Sequence, residues 1–115
     1  MIDIKKFKTV KVLKHPLLSH KMTVLRDKNT NTNEFRRIVK EVAMLEAFEA
    51  FRHLKTNLVS ISTPLEKTTQ PIINPSKLCF VPILRAGLGM VEGLTELIPN
   101  AKVGHIGLYR DPKTK

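Results

Sequence analysis

The chain is poor in the residues that carry many familiar chemistries: one cysteine, no tryptophan, one tyrosine and 5% aromatic residues among 115. A lone cysteine excludes an internal disulfide. Cys79 lies inside the apolar run Leu78–Leu84, where a thiolate would be desolvated, so it reads as a small core residue rather than a nucleophile. Only Phe7 stands among the N-terminal lysines, so the stacking platform of a single-strand nucleic acid binder is missing. No apolar run approaches the roughly 20 residues that span a bilayer. The start, Met1-Ile-Asp-Ile-Lys-Lys6, has no apolar core of the kind signal peptides use, and the expected location is the cytoplasm. His15 and His20 stand apart from other ligand types, so they read as hydrogen-bonding or surface histidines, and no metal site is expected from spacing.

Acidic residues are also scarce: 10 against 20 Lys and Arg, a net charge of +10. Residues 1–28 hold eight of the basic residues and two acidic ones, so +6 of the net charge sits in the first quarter of the chain. Such an arm meets solvent, a second copy, or nucleic acid phosphates; with so few aromatics, the first two are the preferred readings. With 42% hydrophobic residues, the chain supports one modest domain over 1–115.

In order, residues 1–30 read as a basic arm with strand-like pieces at Thr9–Leu13 and Met22–Leu25, bent at His15-Pro16, since proline biases its predecessor towards extended geometry. Asn31 followed by Glu34 is a capping box opening a helix over 31–54. Phe35, Ile38, Val42, Leu45, Phe48 and Phe51 recur at helical steps and form its expected core stripe. A peripheral hairpin over 57–75 is expected from the alternation of Leu58–Thr63 and the extended Gln70–Pro75, with Glu66–Thr69 at its tip. Residues 77–110 read as a right-handed βαβ unit: a buried strand Leu78–Leu84, a helix carrying Met90, Val91, Leu94, Leu97 and Ile98, and a strand Lys102–Tyr109. Pro82 argues against a central strand, because it has no N–H for a ladder.

The stretch Val81-Pro-Ile-Leu-Arg-Ala-Gly-Leu-Gly-Met90 organises the rest. Two glycines between a strand and a helix let backbone approach a ligand, and the opening N–H groups of a helix attract anions. Spacing alone leaves two readings open, since glycines at such turns also serve packing, and the string is neither a P-loop nor a full dinucleotide fingerprint. Topology adds that Arg85, after the first strand, and Arg110, after the second, reach the same rim, where α/β sheets take their ligands. The amides of Ala86, Gly87, Leu88 and Gly89 suit a pyrophosphate there, with Arg85 and Arg110 adding charge-assisted hydrogen bonds. Tyr109 reads as packing at the rim and His105 as a strand histidine, while Glu92 and Glu96, a helical turn apart, read as a solvated face.

The literal string, together with Glu96-Leu-Ile-Pro99, Ala101–Arg110, His15-Pro-Leu17, His20-Lys21, Leu25-Arg-Asp27 and Phe35-Arg36, resembles the uracil phosphoribosyltransferase family in order and spacing. The resemblance implies a partial type I phosphoribosyltransferase-like α/β fold with a parallel sheet. It implies transfer of ribosyl phosphate from phosphoribosyl pyrophosphate to uracil, giving UMP and pyrophosphate in pyrimidine salvage. Arg85 and Arg110 then contact phosphoribosyl pyrophosphate, which carries Mg²⁺. A homodimer or higher homo-oligomer, with the N-terminal segment packing across it, and activation by GTP are expected on the same ground. No residue is assigned as catalytic and none as a metal ligand. In the family a Thr-Gly-Gly-Ser loop for the ribose 5-phosphate and a glycine-rich uracil-reading segment come later than Arg110, so the 115 residues are expected not to turn over alone. Two alternatives stand beside this reading: a basic nucleic-acid-binding module, and a non-catalytic half-domain that dimerises through the long helix.

Overall fold

A computed structural model describes residues 6–108 and 111–113. Its organising element is α2 (Thr32–Ala50), with α1 (Pro16–Arg26) packed on one side and α3 (Leu88–Leu97) on the other. A hairpin of β1 (Asn57–Ser62) and β2 (Lys67–Ile72) extends from it. Four two-residue strands, β3 (Cys79–Phe80), β4 (Ile83–Leu84), β5 (Lys102–Val103) and β6 (Ile106–Gly107), complete the chain. The extents are 62 × 34 × 31 Å and the radius of gyration is 18.2 Å, against about 13 Å for a compact domain of this length. The core is correspondingly small.

The arm is where the sequence reading needs most correction. Met22–Leu25, expected as strand, lies inside α1, and Thr9–Leu13 forms no strand. His15-Pro16 is not a bend between strands but a helix start. His15 is extended, its Nδ1 accepts from the Leu17 N–H at 3.1 Å, and Pro16 takes the first helical position, where no N–H is needed. Arm cations are also partly spent inside the chain: Lys11 pairs with Glu49 at 2.6 Å and Lys21 pairs with Glu41.

The predicted cap of α2 is present, with Asn31 Oδ1 accepting from the Glu34 N–H at 2.8 Å. The helix stops at Ala50, and Phe51–His53 tighten into a 3-10 turn instead of continuing to Leu54. The phenylalanine stripe is only partly core. Ile38, Val42, Ala43 and Ala47 are buried, whereas Phe35 is 45% and Phe48 74% exposed. The reason is geometric: the seam that meets α3 runs through small residues, which lets the helices come close and leaves the larger rings on the flanks. Phe51 does pack, stacking on buried Phe80 with centroids 6.0 Å apart, and so ties the end of α2 to β3.

The hairpin is present, but its tip is not Glu66–Thr69. The connection is Pro64-Leu65, closed by the Thr63 N–H donating to the Glu66 carbonyl at 2.8 Å, while Thr63 Oγ1 accepts from the Glu66 N–H at 3.0 Å. Proline supplies the fixed φ of such a turn and the hydroxyl caps it, so Lys67–Thr69 stay in β2.

The strand expected over Leu78–Leu84 is broken at Val81-Pro82 into β3 and β4, yet the ladder is nearly continuous. β3 pairs in parallel with β5, Cys79 opposite Lys102, and β4 with β6, Leu84 opposite Gly107. Between them the N–H groups of Lys102, Gly104 and Ile106 donate to the carbonyls of Leu78, Phe80 and Pro82 at 3.0, 2.9 and 3.1 Å. The return bond that residue 82 would donate to Gly104 is the one proline lacks. With α3 linking the strands, this is the expected βαβ unit, one rung short. Phe80 and Pro82 are buried on the helix side, whereas Cys79, Val81 and Ile83 are exposed on the other. Cys79 is therefore not a core residue: alternation points it to the open face.

Candidate functional site

The turn from β4 into α3 carries the residues singled out in the sequence. The Leu84–Arg85 peptide is cis. Arg85 and Ala86 are exposed, and among the described residues Arg85 has no acidic partner. Gly87 caps α3, and its N–H donates to the Ile83 carbonyl at 2.8 Å. A methyl group there would lie 2.8 Å from Ile83 N and 2.9 Å from Ile83 O, so this glycine is required for the turn to close onto the strand. The Leu88 N–H donates to the Arg85 carbonyl at 3.1 Å.

Of the four amides expected to face an anion, then, Gly87 and Leu88 hold the turn together. Those of Ala86 and Gly89 meet no acceptor among the described residues. The first turn of α3 holds no acidic side chain, so the positive end of the helix is unopposed there. The register places Gly107 opposite Leu84, so the end of β6 adjoins the loop at the carboxyl ends of both strands. Tyr109 and Arg110, expected to complete this rim, lie outside the described residues. His105, expected inside a strand, is exposed between β5 and β6.

The sequence reading missed what holds this turn in place. Gly93 is buried against α2, where an added Cβ would lie 2.5 Å from the Lys40 carbonyl oxygen. Lys40 pairs with Glu96 across the same two helices, and that hydrogen bond holds the ammonium above its usual pKa. Gly89-x-x-x-Gly93 on one helix face was the available signal, and it points to helix docking. Glu96 is thus an inter-helix bridge rather than half of a solvated pair.

A cleft of about 470 Å³ lies elsewhere, between the arm, α1 and α2, lined by Leu13, Leu17, Leu45 and Phe48. Its one carboxylate, Glu49, is committed: hydrogen bonds from Arg52 and then Lys11 pull it down to about 2. No His, Cys, Asp and Glu grouping suited to a metal occurs among the described residues. The turn, with unspent amides and an unpaired guanidinium, is the place with chemistry to offer.

Parallel strands, a covering helix and a glycine-bearing turn at the carboxyl ends define a parallel α/β protein, a class whose ligands bind at that end of the sheet. The family description "Uracil phosphoribosyltransferase" matches residues 12–115, and the chain belongs to that family. It is 53% identical over 105 residues to a uracil phosphoribosyltransferase of Thermosipho melanesiensis, covering 91% of this chain and 50% of that one. A Bacillus thuringiensis uracil phosphoribosyltransferase is 58% identical over 103 residues, at 90% and 49% coverage. The solved structure of the AQ2163 protein from Aquifex aeolicus superposes with a TM-score of 0.83 at 34% identity, covering 89% of this chain and 49% of that one. The chain spans about half the length of the curated relatives it matches.

Proposed function

We propose that this chain supplies the pyrophosphate-binding part of a glycosyltransferase that moves ribosyl phosphate from phosphoribosyl pyrophosphate to uracil, yielding UMP and pyrophosphate in cytoplasmic pyrimidine salvage. The observation that carries it is the turn after β4: amides at Ala86 and Gly89 that meet no acceptor among the described residues, beside an Arg85 with no acidic partner among them, at the positive end of a helix. Family membership over residues 12–115 supports the same reading.

In this mechanism the departing pyrophosphate gains charge as the bond to the sugar carbon lengthens. Donors fixed in advance stabilise that charge more than the ground state. Ala86 and Gly89 donate through the main chain, and Arg85 adds a charge-assisted bond, with Arg110 as the second cation. Gly87 and Leu88 act indirectly, their amides fixing the turn so that the free ones do not reorganise. Mg²⁺ enters as part of the phosphoribosyl pyrophosphate substrate. Self-association belongs to the same proposal. Phe48, Leu58 and Leu65 are 74%, 72% and 95% exposed, apolar area of the kind a second copy covers, and GTP is the expected activator.

The test is titration of the 115-residue chain with phosphoribosyl pyrophosphate and Mg²⁺ by calorimetry, alongside an assay for UMP. Arg85→Ala is expected to weaken binding about 10- to 100-fold, the effect of losing a hydrogen bond to a charged group of about 1.5–3 kcal/mol. Unchanged affinity in a folded Arg85→Ala chain would reject the assignment.

A further inference from the structure

Helices α1 and α2 open on side-chain caps of different chemistry. The Asn31 amide oxygen that caps α2 accepts a hydrogen bond at any ordinary pH. The cap of α1 is His15, whose Nδ1 accepts from the Leu17 N–H at 3.1 Å. That bond needs a bare Nδ1, so the proton of the neutral ring sits on Nε2. Histidine is the side chain that ordinarily changes charge between about pH 5 and 8, and an imidazolium carries a proton on both nitrogens. Protonation thus turns the acceptor into a donor facing a donor, and it sets a cation at the positive end of the helix dipole. Both effects oppose the first turn of α1.

Little else holds that turn. No residue of α1 is buried, its first turn has no acidic side chain, and at 11 residues it is short for a helix that must stand by itself. The other end is anchored: Lys21 pairs with Glu41 of α2, and the Val24 carbonyl accepts from Thr30 Oγ1 at 2.5 Å. Loss of the cap therefore frays Pro16–Ser19 and leaves the remainder in place. Leu17 and Leu18 of that stretch form one wall of the cleft of about 470 Å³, opposite Leu45 and Phe48 of α2. The charged groups lining the cleft with His15 are Lys11 and Lys14 of the arm, Glu49 of α2 and Arg52 just after it. Glu46 and His53 line a smaller hollow with Lys11 and Leu13, and His20 and Lys21 follow along α1. Glu49 already accepts from Lys11 at 2.6 Å and from Arg52 at 2.7 and 3.0 Å, so among the described residues the cleft offers an imidazolium no free carboxylate.

We propose that His15 is a proton-operated cap. Neutral, it closes the first turn of α1 and keeps Leu17 and Leu18 on the wall of the cleft; protonated, it releases that turn, so the shape of the cleft follows pH. The device does not depend on which ligand the turn after β4 takes.

The test is nitrogen-15 NMR of the 115-residue chain at about pH 8 and about pH 5.5, on either side of the ordinary histidine range. The neutral His15 ring is expected to carry its proton on Nε2. On acidification, hydrogen-exchange protection is expected to fall about tenfold at the Ser19 amide, which donates to the His15 carbonyl at 3.0 Å. The Phe35 amide, in the matching bond to the Asn31 carbonyl at 2.9 Å, keeps its protection. His15→Asn, a cap that does not titrate, is expected to hold the Ser19 amide at both pH values, and His15→Ala to leave it poorly protected at both. Equal Ser19 protection at the two pH values in the parent overturns the proposal, as does an equal fall in His15→Asn. A neutral ring with its proton on Nδ1, or a His15→Ala chain as protected as the parent at pH 8, overturns it too. So does a matching fall at Phe35, which would make the change global rather than the work of this cap.

Discussion

Gly93→Ala sets two effects of opposite sign against each other. On helix propensity alone the substitution stabilises α3 by about 0.8–1 kcal/mol. Against this, the new methyl carbon would lie 2.5 Å from the Lys40 carbonyl oxygen and 3.2 Å from Lys40 C and Cα. All three are backbone atoms of a helix, so no rotamer change relieves the clash. Ordinary contact needs about 3.4 Å, and α3 must therefore move away by most of an ångström from the face of α2 that carries Lys40 and the buried Ala43 and Ala47. Overpacking of a fitted interface costs about 1–3 kcal/mol, and a backbone-to-backbone clash belongs at the upper end. The net expectation is a loss of about 1–2 kcal/mol, a fall in midpoint of about 4–16 °C at 4–8 °C per kcal/mol. Urea and thermal unfolding followed by circular dichroism measure it, with Gly89→Ala as the control that has room. A Gly93→Ala chain as stable as the parent, or more so, would refute the close docking of the two helices.

Asn31→Ala removes the acceptor for the Glu34 N–H and is expected to lower stability by about 1 kcal/mol, read as a shift in urea midpoint without change of slope. Glu49 titrates near 2 in the folded chain against 4.5 when free of its partners, so the stability it contributes is complete above pH 4.5 and is lost as pH falls towards 2. Glu49→Gln should flatten the acid limb of the stability curve in that window, and an unchanged limb would show that the Arg52 and Lys11 contacts do not persist in solution. Gly87→Ala places a carbon 2.8 Å from Ile83 N and should break the turn closure, seen as faster hydrogen exchange at the Gly87 and Leu88 amides.

Local signals were legible where the chemistry is local. The Asn31 cap, the long helix, the hairpin and the strand–helix–strand order follow from side-chain reach, hydrophobic period and turn residues within a few positions. Other features depended on partners distant in sequence. Met22–Leu25 has β-branched and apolar content that reads as strand, but the cap at His15-Pro16 and packing on α2 make it helix. The ring-rich face of α2 looked like core, yet the neighbour that arrives is α3 with Gly93, and a glycine seam selects alanine and valine opposite it. The loop was found from its glycines, but which amides were already engaged depended on carbonyls that only the folded chain brings near. Arg85 was visible as a cation after a strand.

Pro82 removes one donor from the middle of the parallel ladder, and the Gly104 carbonyl is left without a main-chain donor among the described residues. The two halves of the ribbon are therefore joined by a soft link. Separating the half that bears Ile83, Leu84 and Gly107 from the half anchored by the Phe80–Phe51 stack thus breaks one hydrogen bond fewer than in an unbroken ribbon.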